Sequence, residues 1–114
     1  MNLNELATSV RYGLNLTVVV MNNQSLGMVR QWQTLLYDKR YSATHTDLAT
    51  DYVKLAESFG AKGYRADTRE SLIQALLKAK KHGGTTVIEV LVDPDEKVLP
   101  MIPPGGTVDD RIME

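Results

Sequence analysis

The stretch from Leu16 to Met21 is a short apolar run rich in β-branched side chains, and it stops abruptly at Asn22-Asn23. A run of this length and composition predicts a buried strand of a parallel sheet. Paired asparagines end strands and favour turns. Gly27 then permits a close approach of the backbone, and beyond it Met28, Trp32, Leu35 and Leu36 fall on one face of a helix. In open α/β sheets, ligands sit at the carboxyl ends of the strands. Asn22 to Gly27 is therefore the first place to look for a ligand. Two readings of the amides stand side by side: a turn whose amides satisfy one another, or an oxygen site that orients a hard cation.

The remaining segments repeat this alternation. Leu3, Leu6, Ala7 and Val10 recur at helical spacing, with Asn2 or Asn4 as a cap, Glu5 in the first turn and Gly13 as the stop. Tyr37 to Thr50 is polar and reads as a long surface excursion. His45 lies there among Thr44, Thr46 and Asp47 and reads as solvated surface rather than as a base. Thr50 or Asp51 caps a helix whose buried face is Tyr52, Leu55, Ala56 and Phe59, ended by Gly60. Gly63 to Ala66 is a short strand candidate. Thr68 caps a long helix with Leu72, Leu76 and Ala79 as its apolar stripe and Ile73 and Leu77 beside them. Lys78, Lys80, Lys81 and His82 crowd its last turn, where cations suit the helix dipole, and Gly83-Gly84 ends it. That cluster reads as a solvated helix end. Thr86 to Val92 is the clearest strand, and Glu89 interrupts it. A carboxylate at such a place must reach solvent or find a partner, and a structural role is expected for it. The tail from Lys97 to Gly106 carries three of the 4 prolines and reads as an extended arm.

Strands alternating with helices predict a three-layer α/β/α arrangement around a parallel sheet. The expected organisation is one domain over 1–96 and an extended tail over 97–114. Composition narrows the function classes. A net charge of -1 gives no reason to expect a nucleic-acid or anionic-membrane partner. The absence of cysteine removes disulfides and thiolate chemistry, which fits a reducing cytoplasm. The apolar runs are too short to span a bilayer, and the first residues lack the pattern of a signal peptide.

The wider string around the corner is more specific. Asn22-Asn23, then Leu26-Gly27-Met28-Val29-Arg30-Gln31-Trp32-Gln33 and Arg40-Tyr41-Ser42, resembles the thiamine-diphosphate-binding domain of the acetohydroxyacid synthase (acetolactate synthase) catalytic subunits. The resemblance runs on through Val53 to Glu57, Gly60 to Gly63 and Pro100 to Gly106. It implies the fold of the domain that binds the cofactor's pyrophosphate. Asn22-Asn23 matches the second half of that family's magnesium motif, so the Asn23 side chain and the Ser25 main-chain oxygen are implied as Mg2+ ligands. Asn22, Gln24, Leu26, Gly27, Met28 and Met1 are implied around the cofactor, and Trp32 with Met28 in the substrate channel. The implied reaction is decarboxylation of pyruvate and transfer of the two-carbon unit to a second pyruvate or to 2-oxobutyrate.

The first half of the motif, Gly-Asp-Gly, does not occur in this chain, and the resemblance places it a few residues before Met1. The expectation is a domain truncated at its N-terminus, with neutral oxygens only for the metal, an exposed sheet edge and no turnover by itself. No catalytic residue is expected here, because the activating glutamate and the FAD-binding domain belong to other parts of the family's enzymes. The implied partners are 2-oxo acids, a second catalytic subunit in a homo-oligomer, and a regulatory subunit as an optional addition. Two other readings compete: a related thiamine-diphosphate decarboxylase, oxidase or carboligase, and a non-catalytic assembly domain that uses the sheet edge and the proline-rich tail.

Overall fold

The computed structural model describes residues 3–46 and 50–113. Met1 and Asn2, given roles above as cofactor neighbour and helix cap, lie outside the described residues, as does Asp47. The elements run in the order α1 (Glu5–Arg11), β1 (Thr17–Asn22), α2 (Gly27–Leu36), α3 (Tyr52–Ser58), β2 (Lys62–Ala66), α4 (Arg69–His82) and β3 (Thr86–Leu91), followed by a 3-10 turn at Val108–Asp110. The chain divides into two compact units, Met1–Asn23 with Asp47–Val92, and Gln24–Thr46 with Asp93–Glu114.

The first unit holds the sheet. Its strands are all parallel in the order β1-β3-β2, with Val20 and Arg65 both in register with Glu89 of the central strand. On one face Ile88 packs with Ala66, Ala75 and Ala79, with Leu72 and Val90 against them, so α4 covers that side. On the other, Val87 packs with Ala56 and Ala61, joined by Leu6, Val10, Val18 and Val20, so α1 and α3 cover it. This is the expected three-layer arrangement.

Two expectations about burial are corrected. β1 is an edge strand, not a fully buried one: Val18 and Val20 face the α1/α3 layer, while Val19 is 41% and Met21 63% exposed. The reason is that β1 is paired only with β3, and the helix on its other face packs on β2 and β3. The stripe of α4 is also displaced. Leu72, Ala75 and Ala79 pack inward, whereas Leu76, Ile73 and Leu77 are exposed. Small alanines let α4 lie close on the sheet, which turns the larger residues outward.

The caps of α3 and α4 fall where expected, whereas Asn4 stands at the N-cap position of α1 without a side-chain cap hydrogen bond. Thr68 and Ser71 form a reciprocal capping box on α4, and Gly83 closes it in the left-handed region at φ 69°. Asp51 caps α3, accepting from the Val53 and Lys54 amides at 3.1 Å each. The hydrogen bond from the Lys54 amide outweighs the opposing effect of desolvation and, with smaller contributions from the Lys54 and Arg65 cations, holds this carboxyl below its ordinary range. A group whose folded pKa is depressed contributes stability above its unfolded value, and that contribution is lost as pH falls through the folded value. Asp51→Asn, which keeps a capping oxygen but cannot titrate, is expected to flatten the fall of melting temperature with pH below about 4. Parallel melting curves for the two proteins across that range would contradict it.

The second unit is built on α2. The tail expected to be a plain extended arm folds back on itself: Met101 and Ile112 pair as an antiparallel bridge, and Met101 is buried. The expected apolar face of α2 is not covered within this unit. Met28 is 51% exposed, and the buried residue of the helix is Gln31. Among the described residues, no helix is long and apolar enough to cross a membrane.

Candidate functional site

In the first unit, the site candidates sit at the carboxyl end of β1. Asn22 is the last strand residue, and its carbonyl accepts from the Val92 amide at 3.0 Å. Its side-chain Nδ2 donates to Glu89 Oε1 at 2.6 Å. Glu89 is 3% exposed, and its second oxygen accepts from Arg65 Nε at 2.7 Å. Arg65 Nη2 donates onward to Asp51 Oδ1 at 3.4 Å. The parallel register is what makes this possible, since it sets Arg65 directly beside Glu89. A buried carboxylate costs several kcal/mol unless it is paired and hydrogen-bonded, and here both of its oxygens are used. Glu89 thus has the structural partner its position demanded. Arg65 was not singled out from the sequence. Asn23 follows, half-buried.

In the second unit, Gln24 adopts a left-handed conformation at φ 51°. Such a backbone is unusual for a residue with a Cβ and clusters at turns and ligand sites. Ser25 and His45 then pair as an antiparallel bridge. The Leu26 amide donates to the Thr44 carbonyl at 2.8 Å, and the Thr46 amide donates to the Gln24 carbonyl at 3.0 Å. The Ser25 hydroxyl also donates to the Thr44 carbonyl. His45 is exposed, as read from the sequence.

Gly27 begins α2, and Met28 and Trp32, one turn apart, line a single open apolar groove of about 710 Å³ with Val29, Gln33, Tyr37 and Arg40. Two of the three residues between them in the motif do something else. Arg30 Nε donates to Asp95 at 2.7 Å, and its guanidinium lies 4.1 Å from the Tyr41 ring centre. The hydrogen bond to Arg30 holds the Asp95 carboxyl below the usual range. Gln31 donates to the Val98 carbonyl and accepts from the Val98 amide. Arg30 and Gln31, unassigned from the sequence, therefore bind the tail to the helix.

The donor chemistry fits a hard divalent cation. Asn23 and Ser25 offer amide and carbonyl oxygens, the ligand type preferred by Mg2+. Among the described residues, no group of three or more His, Cys, Asp or Glu side chains is placed to hold a metal.

Comparison with known proteins gives a consistent result. The family described as thiamine pyrophosphate enzyme, C-terminal TPP binding domain, matches residues 1–90. The mitochondrial acetolactate synthase catalytic subunit of Saccharomyces cerevisiae is 41% identical over 112 residues, 98% of this chain and 16% of that protein. The acetolactate synthase large subunit of Buchnera aphidicola subsp. Schizaphis graminum is 38% identical over 113 residues, 96% of this chain and 20% of that protein. The chain thus spans no more than a fifth of the length of these relatives. Among solved structures, the thiamine diphosphate-dependent 4-hydroxybenzoylformate decarboxylase of Rhodococcus jostii RHA1 superposes with a TM-score of 0.72 at 25% identity, covering 83% of this chain and 18% of that one.

Proposed function

The chain belongs to the thiamine pyrophosphate enzymes, through the C-terminal TPP-binding domain of that family, and from that premise we propose that it supplies part of the cofactor site of an acetolactate synthase catalytic subunit. The observation that carries the reading is the Asn22-Asn23 corner at the carboxyl end of a parallel strand, with Asn22 held on both main chain and side chain. In an open α/β sheet that is where ligands bind. The similarity to acetolactate synthases over almost the whole chain selects the branch of the family.

In this reading the Asn23 side chain and the Ser25 main-chain oxygen would hold Mg2+, which would supply charge for the diphosphate of the cofactor. Asn22, Gln24, Leu26, Gly27 and Met28 border the cofactor. Trp32 and Met28 line the path of the 2-oxo acids, and the apolar groove they share supports that role. When bound, thiamine diphosphate supplies the carbanion chemistry by which pyruvate is decarboxylated and joined to a second 2-oxo acid. This chain's residues orient and shield; none of them takes the part of the activating glutamate, which a second catalytic subunit provides. Asn23 and Ser25 would bring neutral oxygens to the metal, and in this reading the 114-residue chain by itself binds the cofactor weakly. A related thiamine-diphosphate decarboxylase is the second reading, supported by the likeness to the Rhodococcus enzyme. The two part at the product: joined acetohydroxy acids for the first, free aldehyde for the second.

The test is a thermal melt of the chain with and without Mg2+ and thiamine diphosphate. A ligand that binds only the native state stabilises it by about 2.7 kcal/mol at a hundredfold excess over its Kd. The expected result is a shift that needs both components and is lost in Asn23→Ala. A shift that survives in Asn23→Ala removes the metal-ligand assignment.

A further inference from the structure

Glu89 is buried in the sheet and pairs with Arg65, whose side chain is 49% exposed, and ionic pairing of a buried carboxylate is a weak source of stability, since an apolar residue of similar volume often does as well or better. What an apolar residue cannot do is orient an amide. The Glu89 carboxylate divides its two oxygens between two neighbouring strands, Oε2 to Arg65 on β2 and Oε1 to Asn22 on β1. An ionised carboxylate accepts and never donates, so only the NH2 half of the Asn22 amide can face it. The Asn22 Oδ1 is thereby turned the other way. Arg65 is tied in turn to Asp51, the cap of α3, so the carboxylate is held from the helix layer as well as from the sheet.

We propose that Glu89 is a positioning residue for the Asn22-Asn23 corner, setting the orientation of the Asn22 amide and the path of the main chain into Asn23, with Arg65 as its counter-charge. The proposal rests on the reading of Asn23 as a metal ligand. Groups that orient metal ligands from behind matter in proportion: their loss typically weakens metal affinity about 10- to 100-fold.

The test uses the whole chain and a substitution that keeps the shape. Glu89→Gln presents one acceptor and one donor. If the acceptor stays with Arg65, the donor meets the Asn22 NH2, and the amide must turn over or leave. The expected result is a cooperative melt, an Asn22 side-chain NH2 resonance moved to the position of a solvated amide, and faster hydrogen exchange at the Asn23 amide, with exchange elsewhere in the sheet unchanged. Mg2+–thiamine diphosphate affinity is expected to fall about tenfold. Adding Asn22→Asp to E89Q restores a donor facing an acceptor and should return the Asn23 amide to its original exchange rate. Asn22→Asp alone sets two carboxylates against each other and should lose that protection. Unchanged Asn22 and Asn23 signals in E89Q overturn the proposal. So does a double variant that behaves like N22D, a comparison that holds even if E89Q does not fold. A wild-type chain that takes up no Mg2+–thiamine diphosphate overturns the functional reading instead, while the ligand-free Asn22 and Asn23 signals still decide the positioning role.

Discussion

Gly63→Ala is expected to destabilise the sheet-bearing unit by about 3 kcal/mol, at the upper end for overpacking a close contact. A Cβ built on Gly63 meets the Val53 carbonyl oxygen at 2.7 Å and the Val53 Cα at 2.8 Å. Both are backbone atoms of α3, so no rotamer change relieves the clash. The helix must lift off β2, and it carries Ala56 of the core and the Asp51 cap with it. Gly13 and Gly83 provide the contrast. Each has open space where a methyl group would point but lies in the left-handed region, at φ 61° and 69°, so alanine there costs only the backbone strain of about 1 kcal/mol. Urea unfolding of the three variants measures the difference. If G63A unfolds at the same midpoint as G13A, the close packing of α3 on β2 is wrong.

The second large effect concerns the other unit. Gln31 is 4% exposed and its amide engages both backbone groups of Val98, donating at 2.9 Å and accepting at 2.7 Å, with a further contact from Nε2 to the Met101 sulfur at 3.4 Å. A side-chain amide here stands in for a peptide group of a neighbouring strand. Gln31→Leu keeps the volume and removes both hydrogen bonds, each with a net contribution of about 1 kcal/mol. The tail should loosen locally rather than the whole chain unfold, so the readout is hydrogen exchange at the Val98 amide. A loss of about 2 kcal/mol corresponds to exchange roughly 30-fold faster. Exchange unchanged at Val98 would mean that the Arg30–Asp95 pair, at 2.7 Å, holds the tail by itself.

These two sites also mark where reading from sequence stopped. The Gly63 strand and the Tyr52–Ser58 helix were each visible, but not that they touch through a missing side chain. Gln31 was visible only as a polar neighbour of Trp32. Met28, Trp32, Leu35 and Leu36 were read as one apolar face of a helix, and the tail covers the helix at Gln31, on the flank of that face. The apolar pattern says which residues prefer to leave water; it does not say whether a partner surface is present to receive them. The candidate site divides the same way. Asn22-Asn23 was legible because a β-branched run that stops at two asparagines is a local signal. The ionic support beneath it was half legible: Glu89 announced that it needed a partner, and nothing near it in sequence named Arg65.

The sequence by itself determined the order of helices and strands, their capped ends at Asp51, Thr68 and Gly83, and the polar corner after β1. Periodicity, capping and turn chemistry act over a few residues and so are written locally. Only the tertiary structure decided that β3 lies between β1 and β2, and that Glu89 reaches Asn22 on one side and Arg65 on the other. Parallel strands joined by helical crossovers acquire their neighbours from how the layers pack, and that choice depends on contacts between residues far apart in the chain.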